Sequence, residues 1–301
     1  MDVLAKLKIL ADILKSAAIE WDRDNVPRMG AALAYYSLFA LAPLLVVAIG
    51  VAGLAFGTEA ARGQVVHQID GLIGKTGAEA VQAMLISARK PEQSIPAAVI
   101  GLIALFLGAT SAFAQLQGAL NTIWGVPTPA GGAIKGFIKG RLLSFGMVLA
   151  IGFLLLVSLA LSAGLAALGE LMESRLPGGE ALWLGINFAI SFGFITLLFA
   201  MIYKILPDID LEWRDVWIGA GITALFFTLG KILIGLYLGH STIVSTYGAA
   251  GSIVVILLWV YYSAQIVLFG AEVTHAYVEK FGSESRQAQA EASRPAVIQR
   301  I

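Results

Sequence analysis

The residues of this sequence that could carry chemistry are polar side chains set within long apolar runs. They fall in three of the runs. The members are Tyr35, Tyr36 and Ser37 in the first, Gln115 and Asn121 in the second, and Gln265 and Glu272 in the last. Polar groups surrounded by lipid are unfavourable, so they face protein or a water-filled cavity. With a rise of about 1.5 Å per helical residue, the three groups share a depth. This predicts a polar cavity; hydrogen bonding between packed helices is the alternative.

A second set of candidates concerns charge and shape within the runs. Lys231 is the one charge well inside an apolar run, and Asn187 lies at a matching depth in the preceding run. The pair predicts a contact for an anionic group, whereas a lysine whose amine reaches the outer headgroups is the alternative. Pro43 stands in the middle of the first run and predicts a helix kink, because proline removes a backbone hydrogen bond.

Hydrolytic metal chemistry finds little support in the residue pattern. The acidic residues concentrate in one short connection, which reads Asp208, Asp210, Glu212 and Asp215. A hard-cation site of oxygen ligands is conceivable there, but a solvated hairpin with local caps is the preferred interpretation. The sequence has no cysteine, which excludes thiol catalysis, disulfides and cysteine-based zinc or iron–sulfur sites. We therefore predict no catalytic residue, no metal and no cofactor.

Composition places the chain in a membrane. Hydrophobic residues make up 58% of the 301 residues and charged residues 13%, and the mean hydropathy is +0.83. Soluble proteins carry roughly 25% charged residues, and so few charges could not cover a water-exposed surface. The formal net charge is zero, which argues against a nucleic-acid partner, since such proteins need a basic face. Membrane lipids are the expected partners.

The apolar runs predict an all-α integral membrane protein with six transmembrane helices. Each is long enough for a hydrocarbon core that needs about 20 helical residues. The predicted spans are 30–56, 96–124, 142–169, 182–203, 217–238 and 249–277. Most lysines and arginines lie on the connections that share a side with both termini. By the positive-inside rule, the N- and C-termini are cytoplasmic.

Three segments lie outside the predicted spans. Residues 1–29 contain apolar residues at helical spacing and predict an N-terminal cytoplasmic amphipathic helix. It would lie on the inner leaflet or pack on the protein's own cytoplasmic face, and the sequence is compatible with both. The long connection over 58–95 predicts a two-helix outer loop. The polar, small residues of 281–301 predict a disordered cytoplasmic tail.

Three ordered motifs resemble a known family. They read AALAYYSLFALAPLL from Ala31 to Leu45, YKILPDIDLEWRDVWIGA from Tyr203 to Ala220, and YGAAGSIVVILLWVYYSAQIVLFGAE from Tyr247 to Glu272. In this order they resemble the YihY/BrkB family of bacterial inner-membrane proteins, once labelled ribonuclease BN. The resemblance covers about residues 20–280. It implies a multi-pass protein of the inner membrane and suggests transport of a lipid-like or envelope-related substrate.

The sequence is compatible with three functions. The preferred one is transport or flipping of an amphipathic, lipid-like substrate, which the polar groups in the apolar runs favour. Because the sequence has no ATP-binding motif, such transport would be passive, ion-coupled or driven by a partner protein. The second is a non-catalytic structural or assembly protein of the envelope, in which the polar groups only join helices. The third, a membrane-bound ribonuclease, is disfavoured because the histidines and carboxylates do not cluster. The oligomeric state is left open.

Overall fold

The computed structural model describes residues 3–59, 95–126, 179–240 and 251–281, together with isolated residues between 62 and 86. The described part is all-helical. Its six long helices are α1 (Val3–Arg23), α2 (Val26–Phe56), α3 (Ile95–Ile123), α4 (Gly179–Ile205), α5 (Trp213–His240) and α6 (Gly251–Phe281). The predicted span 142–169, most of the loop 58–95 and the tail lie outside the described residues.

The long helices follow from composition. Without water to bind the backbone, an apolar segment satisfies its own N–H and C=O groups by forming a helix. Three helices among the described residues contain stretches long and apolar enough to cross a membrane, over Phe188–Ile205, Trp213–Ile234 and Ile253–Phe281. Helices α2 and α3, of 31 and 29 residues, contain the predicted spans 30–56 and most of 96–124. Helix α2 continues through Pro43.

Local sequence fixes where the helices stop. Asn25, in the turn between α1 and α2, has a left-handed backbone with φ 55°, which asparagine tolerates better than most residues. Pro27 stands in the first turn of α2, where a missing N–H is harmless. At the end of α3, Gly125 has φ 59°. The N–H groups of Gly125 and Val126 donate to the carbonyls of Thr122 and Asn121, the Schellman arrangement that closes a helix.

Helix α6 is the centre of the described bundle and contacts α1, α2, α3 and α5. The main core gathers the ends of α3 and α4, the start of α5 and the middle of α6, with Leu120, Tyr203, Val216 and Leu268 fully buried. The turn between α1 and α2, the end of α3, the α4–α5 connection and the end of α6 all lie at one end of the bundle. We call it the turn end.

Helix α1 packs on α6 and also keeps an exposed apolar face. Ile13 and Ala17 are buried against Val273 and Ala276 of α6, and Lys280 pairs with Asp12 at 3.5 Å. Leu7, Leu10 and Ile19 remain exposed. The sequence left open whether this helix lies on the inner leaflet or packs on the protein itself. The face of α1 that contains Ile13 and Ala17 packs on the protein.

Helices α5 and α6 join along a seam of glycine and threonine, which we call the Gly/Thr seam. Its members lie four residues apart on each helix: Gly219 and Thr223 on α5, Gly270 and Thr274 on α6. Gly219 faces Thr274, and Gly270 faces Thr223, so closely that a Cβ on either glycine would collide with the opposite hydroxyl. Each threonine donates to a carbonyl of its own helix, at 2.7 Å to Gly219 and 2.8 Å to Gly270. Small residues at this spacing bring membrane helices into close contact.

Candidate functional site

The buried carboxylate of α6 is the most unusual group in the described structure. Glu272 is 1% exposed, and its Oε1 has no hydrogen-bond partner among the described residues. A carboxylate needs partners when it is taken out of water. Glu20 of α1 and Asp24 of the α1–α2 turn interact electrostatically with Glu272. Acidic side chains of α1, of the α1–α2 turn and of α6 therefore influence one another electrostatically at the turn end.

Within this group, Asp24 is the member in the turn itself. Burial, and then the carboxylate of Glu20, raises the pKa of Asp24 from 3.8 to about 6, while Arg23 acts in the opposite direction. Arg23 also pairs with Glu20 at 3.3 Å. Arg23 is therefore engaged with Glu20, and it lowers the pKa of Asp24 by less than burial and Glu20 raise it.

Gln265 is a second buried polar group on the same helix, two turns before Glu272. Both amide atoms of its side chain are buried and have no hydrogen-bond partner among the described residues. The side chain lies directly against Gly30 of α2, where a Cβ would collide with Nε2. The absence of a side chain at Gly30 thus leaves the space that the amide of Gln265 occupies.

Asn121 belongs to a different cluster, at the junction of α3 with the α4–α5 connection. Its Nδ2 donates to the Asp208 carboxylate at 2.8 Å, and the backbone N–H of Asp208 donates to Asn121 Oδ1 at 2.8 Å. Gln117 Nε2 donates to both carboxylate oxygens at 3.3 Å. Charge-assisted hydrogen bonds of this kind are stronger than neutral ones. Asp208 thus joins the connection to α3 by a contact across the bundle.

The other carboxylates of that connection do not gather around Asp208. Asp210 and Glu212 are exposed, whereas Asp215 is buried in the first turn of α5, where its N–H donates to the Glu212 carbonyl at 3.0 Å. Among the residues that the structure describes, no three histidines or carboxylates are placed to hold one metal ion.

Two aromatic rings cover the same end of α6. The His275 ring meets Trp124 edge to face, with 4.9 Å between the ring centres. Trp124 is the last buried residue before the Schellman closure of α3. This contact packs the end of α3 against α6 one turn beyond Glu272.

The remaining residues of the predicted cavity are dispersed. Tyr35 is 57% exposed and packs edge to face on Phe39; Tyr36 is also exposed, and Ser37 and Gln115 are half-buried. The structure places Gln265 and Glu272 on one helix and Asn121 in the Asp208 cluster. A single cavity that joins all seven side chains stays a prediction.

The anion contact and the kink likewise stay predictions. Lys231 is exposed within the described part of the chain. The side chain of Asn187, its predicted partner, lies outside the described residues, as does that of Pro43.

Sequence reasoning missed the groups that surround the polar face of α6. Glu20 and Asp24 are ordinary surface residues by sequence, and only the packing of α1 on α6 brings them near Glu272. Gly30 gives no signal of its contact with Gln265. The Gly/Thr seam did leave a signal, because Gly219 with Thr223 and Gly270 with Thr274 repeat a small residue at four-residue spacing.

Comparison with known proteins identifies similar membrane proteins. The chain is 30% identical to a UPF0761 membrane protein of Pseudomonas paraeruginosa over 254 residues, which is 82% of this chain and 58% of that protein. It is 27% identical to a UPF0761 membrane protein of Pseudoalteromonas atlantica over 88% of this chain and 85% of the relative. A Neisseria meningitidis relative is 26% identical over 91% of this chain and 66% of its own length.

The chain spans about 58% of the length of the Pseudomonas relatives that it matches. No solved structure matches it. The family model described as Virulence factor BrkB matches residues 17–295, nearly the whole chain. The resemblance of the three sequence motifs is thereby confirmed, and the chain is a membrane protein that belongs to the BrkB family.

Proposed function

We propose that this chain is a multi-pass protein of the bacterial inner membrane that moves an amphipathic, lipid-like substrate between leaflets or across the bilayer. It has six spans and cytoplasmic termini, and the turn end faces the cytoplasm. The lysine and arginine distribution supports this orientation. The arrangement of the described helices agrees with it, because four connections and helix ends lie together at the turn end.

The observation that carries the proposal is the buried carboxylate of Glu272. It lies within a helix long and apolar enough to span a membrane, is 1% exposed, and interacts electrostatically with Glu20 and Asp24. A purely structural helix contact gains nothing from a carboxylate whose Oε1 lacks a partner among the described residues. Ionisable groups within spans mark the paths of substrates or coupling ions. No enzymatic step is part of this proposal.

A lipid-translocation assay tests the proposal. The protein is reconstituted into vesicles of phosphatidylethanolamine and phosphatidylglycerol with a trace of headgroup-labelled fluorescent phospholipid, and dithionite then bleaches the outer leaflet. We expect wild-type vesicles to lose fluorescence beyond the outer-leaflet fraction. Glu272→Leu should lose this activity, whereas Glu279→Gln, a change on the same helix two turns on, should keep it.

Bleaching that stops at the outer-leaflet fraction for the wild-type protein would contradict phospholipid movement and favour the second candidate, a non-catalytic envelope structural or assembly protein. The Gly/Thr seam is the observation that supports that candidate, since it shows polar side chains used only to join helices. If the Glu272→Leu variant were as active as wild type, the buried carboxyl group would have no part in transport.

A further inference from the structure

Glu272 is enclosed on the side of α6 that α1 and α2 cover. Ala276, one turn further along α6, is buried against Ile13 of α1, and Gln265, two turns back, lies against Gly30 of α2. Residues four and seven positions apart share one face of a helix, so Glu272 lies between these two contacts. Because the residue is 1% exposed, its carboxyl group is shut off from water while both helices stay packed.

Among the described residues, no positive charge is paired with this carboxyl group. Its Oε1 accepts no hydrogen bond, and none of the described ion pairs includes it. The titratable and charged groups of the elements packed here are Glu20 and Arg23 of α1, Asp24 of the turn, Arg28 of α2 and His275 of α6 itself. Arg23 is engaged with Glu20 at 3.3 Å, Arg28 is exposed, and the His275 ring packs on Trp124. Helix α3 has no charged residue, and α5 packs on a different face of α6 through the Gly/Thr seam.

The ligand that suits such a group is a proton. Taking an ionised carboxylate out of water without a cation is far more unfavourable than burying the neutral acid, so an isolated carboxylate takes up a proton instead. Glu20 and Asp24 act in the same direction, because negative charges nearby oppose ionisation. The described residues place no three histidines or carboxylates to hold a metal ion, and the fully enclosed Oε1 leaves space for a proton and not for a larger cation.

Helix α1 is a cover that can be displaced. It precedes the spans, and the turn at Asn25 joins it to α2, so its movement would break no span. An apolar contact with α6 through Ile13 and Ala17 and the ion pair of Asp12 with Lys280 hold it in place. Both partners of that pair are partly exposed, and such pairs contribute little. A polar groove of about 250 Å³ opens beside them.

We propose that α1 is a lid over Glu272, which closes when this carboxyl group binds a proton and opens when the proton passes from the carboxyl oxygen to cytoplasmic water. The closed state holds one proton more than the open state, so a fall in pH favours closure and a rise in pH favours opening. In transport the proton would then be the coupling ion, a step that rests on the proposed function and on its cytoplasmic assignment of the turn end.

Infrared spectroscopy of the full chain at pH 7.5 tests the bound proton. A protonated carboxyl group has a C=O stretch that carboxylates lack. We expect this band in wild type and its loss in Glu272→Gln, which keeps the shape of the neutral acid. Glu279→Gln, two turns on along α6, is the matched control and should keep the band. Asp24→Asn should keep it as well, because the pKa of Asp24 is about 6 and this group is mostly ionised at pH 7.5.

Cysteine labelling at a series of pH values tests the lid. Ala17→Cys places a thiol in the buried contact between α1 and α6, in a chain that has no cysteine of its own. Its maleimide labelling rate is divided by that of Ala11→Cys, at an exposed alanine of α1, which corrects for the titration of the thiol. We expect this ratio to rise with pH, by up to about tenfold per pH unit where one proton is released. Adding Glu272→Gln should make the ratio low and independent of pH, whereas adding Asp24→Asn should leave the rise.

Thermal unfolding of each variant accompanies the labelling, and Ile13→Cys, at another buried position of the contact, replaces Ala17→Cys if that variant unfolds early. A pH dependence that survives in Glu272→Gln would overturn the lid, as would a ratio that does not change with pH. A carbonyl band that remains in Glu272→Gln would overturn the bound proton. Lipid movement without a proton on Glu272 keeps the proposed function and overturns the proton site. A pH-dependent lid in a protein that moves no lipid keeps the proton site and contradicts transport.

Discussion

Helix α6 uses two of its faces in opposite ways. Toward α5, the Gly/Thr seam brings the two backbones into contact. Tyr203 of α4 lies against this seam, where its hydroxyl donates to the Val267 carbonyl at 2.7 Å and shares a 2.8 Å hydrogen bond with Thr223. Toward α1 and α2, Gln265 and Glu272 are buried with polar atoms that have no partner among the described residues.

The difference shows that one helix carries both satisfied and unsatisfied buried polar groups. A fully satisfied polar network rigidifies its surroundings, whereas an unpaired buried group is unfavourable and is retained where it has another role. The α5 face therefore contributes to stability, and the α1–α2 face is the region on which the proposed function depends. Substitutions on the two faces separate these roles.

The largest expected effect is on the Gly/Thr seam. Gly219→Ala places a methyl group against Thr274 and the Gly270 carbonyl, and overpacking of this kind lowers the free energy of unfolding by about 2 kcal/mol. Denaturation of the detergent-solubilised protein by SDS, followed by circular dichroism, measures it.

The matched control is Gly221→Ala on the same helix, where a Cβ meets nothing within 4 Å. This change should leave stability unchanged or raise it by up to about 1 kcal/mol, because alanine favours helix more than glycine does. Equal effects of the two substitutions would show that the seam is not closely packed.

A smaller effect is expected from Tyr203→Phe. The change removes the hydrogen bonds to Thr223 and the Val267 carbonyl but keeps the ring in the core. Hydrogen bonds between membrane helices contribute about 0.6 kcal/mol on average, so we expect a loss of about 1 kcal/mol in the same denaturation. Tyr35→Phe, at an exposed tyrosine, serves as control and should be neutral. Lipid translocation should persist in Tyr203→Phe; its loss would place the α5 face in the functional path as well.

The smallest effect is on the α1–α2 face and depends on pH. The pKa of Asp24 is about 6 in the folded protein against an ordinary 3.8, so the folded state holds a proton that the unfolded state releases between these values. Stability therefore falls as pH rises from about 4 through 6. The charged groups that interact with Asp24 are Glu20 and Arg23 of α1 and Glu272 of α6.

Asp24→Asn removes this dependence. The full change in pKa corresponds to about 3 kcal/mol, and solvent screening of this partly exposed carboxyl reduces it to about 0.5 kcal/mol. The variant should be more stable than wild type by this amount at pH 7.5 and equal to it below pH 4, as thermal unfolding at a series of pH values would show. Asp22→Asn, an exposed neighbour, should follow the wild-type profile. A wild-type advantage at pH 7.5 would contradict a desolvated Asp24.

Much of the helical architecture can be predicted from the sequence, because lipid offers the backbone no hydrogen-bond partners. A long apolar run in lipid has no alternative to the helix, so Gly30 to Phe56 predicts α2 without knowledge of its neighbours. The polar residues Gln265 and Glu272 stand out for the same reason. The family follows from three long motifs, and the match over residues 17–295 confirms it.

The site could be predicted only in part, because contacts between distant segments are not periodic in sequence. Asn121 appears as a polar residue in a span, but its partner Asp208 lies 87 residues away. The predicted cavity treats Tyr35 and Glu272 as equivalent, since both are polar and of similar depth; the structure exposes the first and buries the second. Depth along a helix is a local quantity, whereas the direction that a side chain faces depends on which helices pack around it.

By itself, the sequence determined that this chain is helical, belongs in a membrane and carries polar groups in three of its apolar runs, because composition and a 20-residue length scale are enough for these conclusions. Only the tertiary structure decided that Glu272 lies near Glu20 and Asp24, that Gln265 lies on Gly30, and that two Gly/Thr pairs interlock. Each of these depends on the rotation of one helix relative to another. That rotation is set by the close packing of small residues, whose contacts no single segment of the sequence contains.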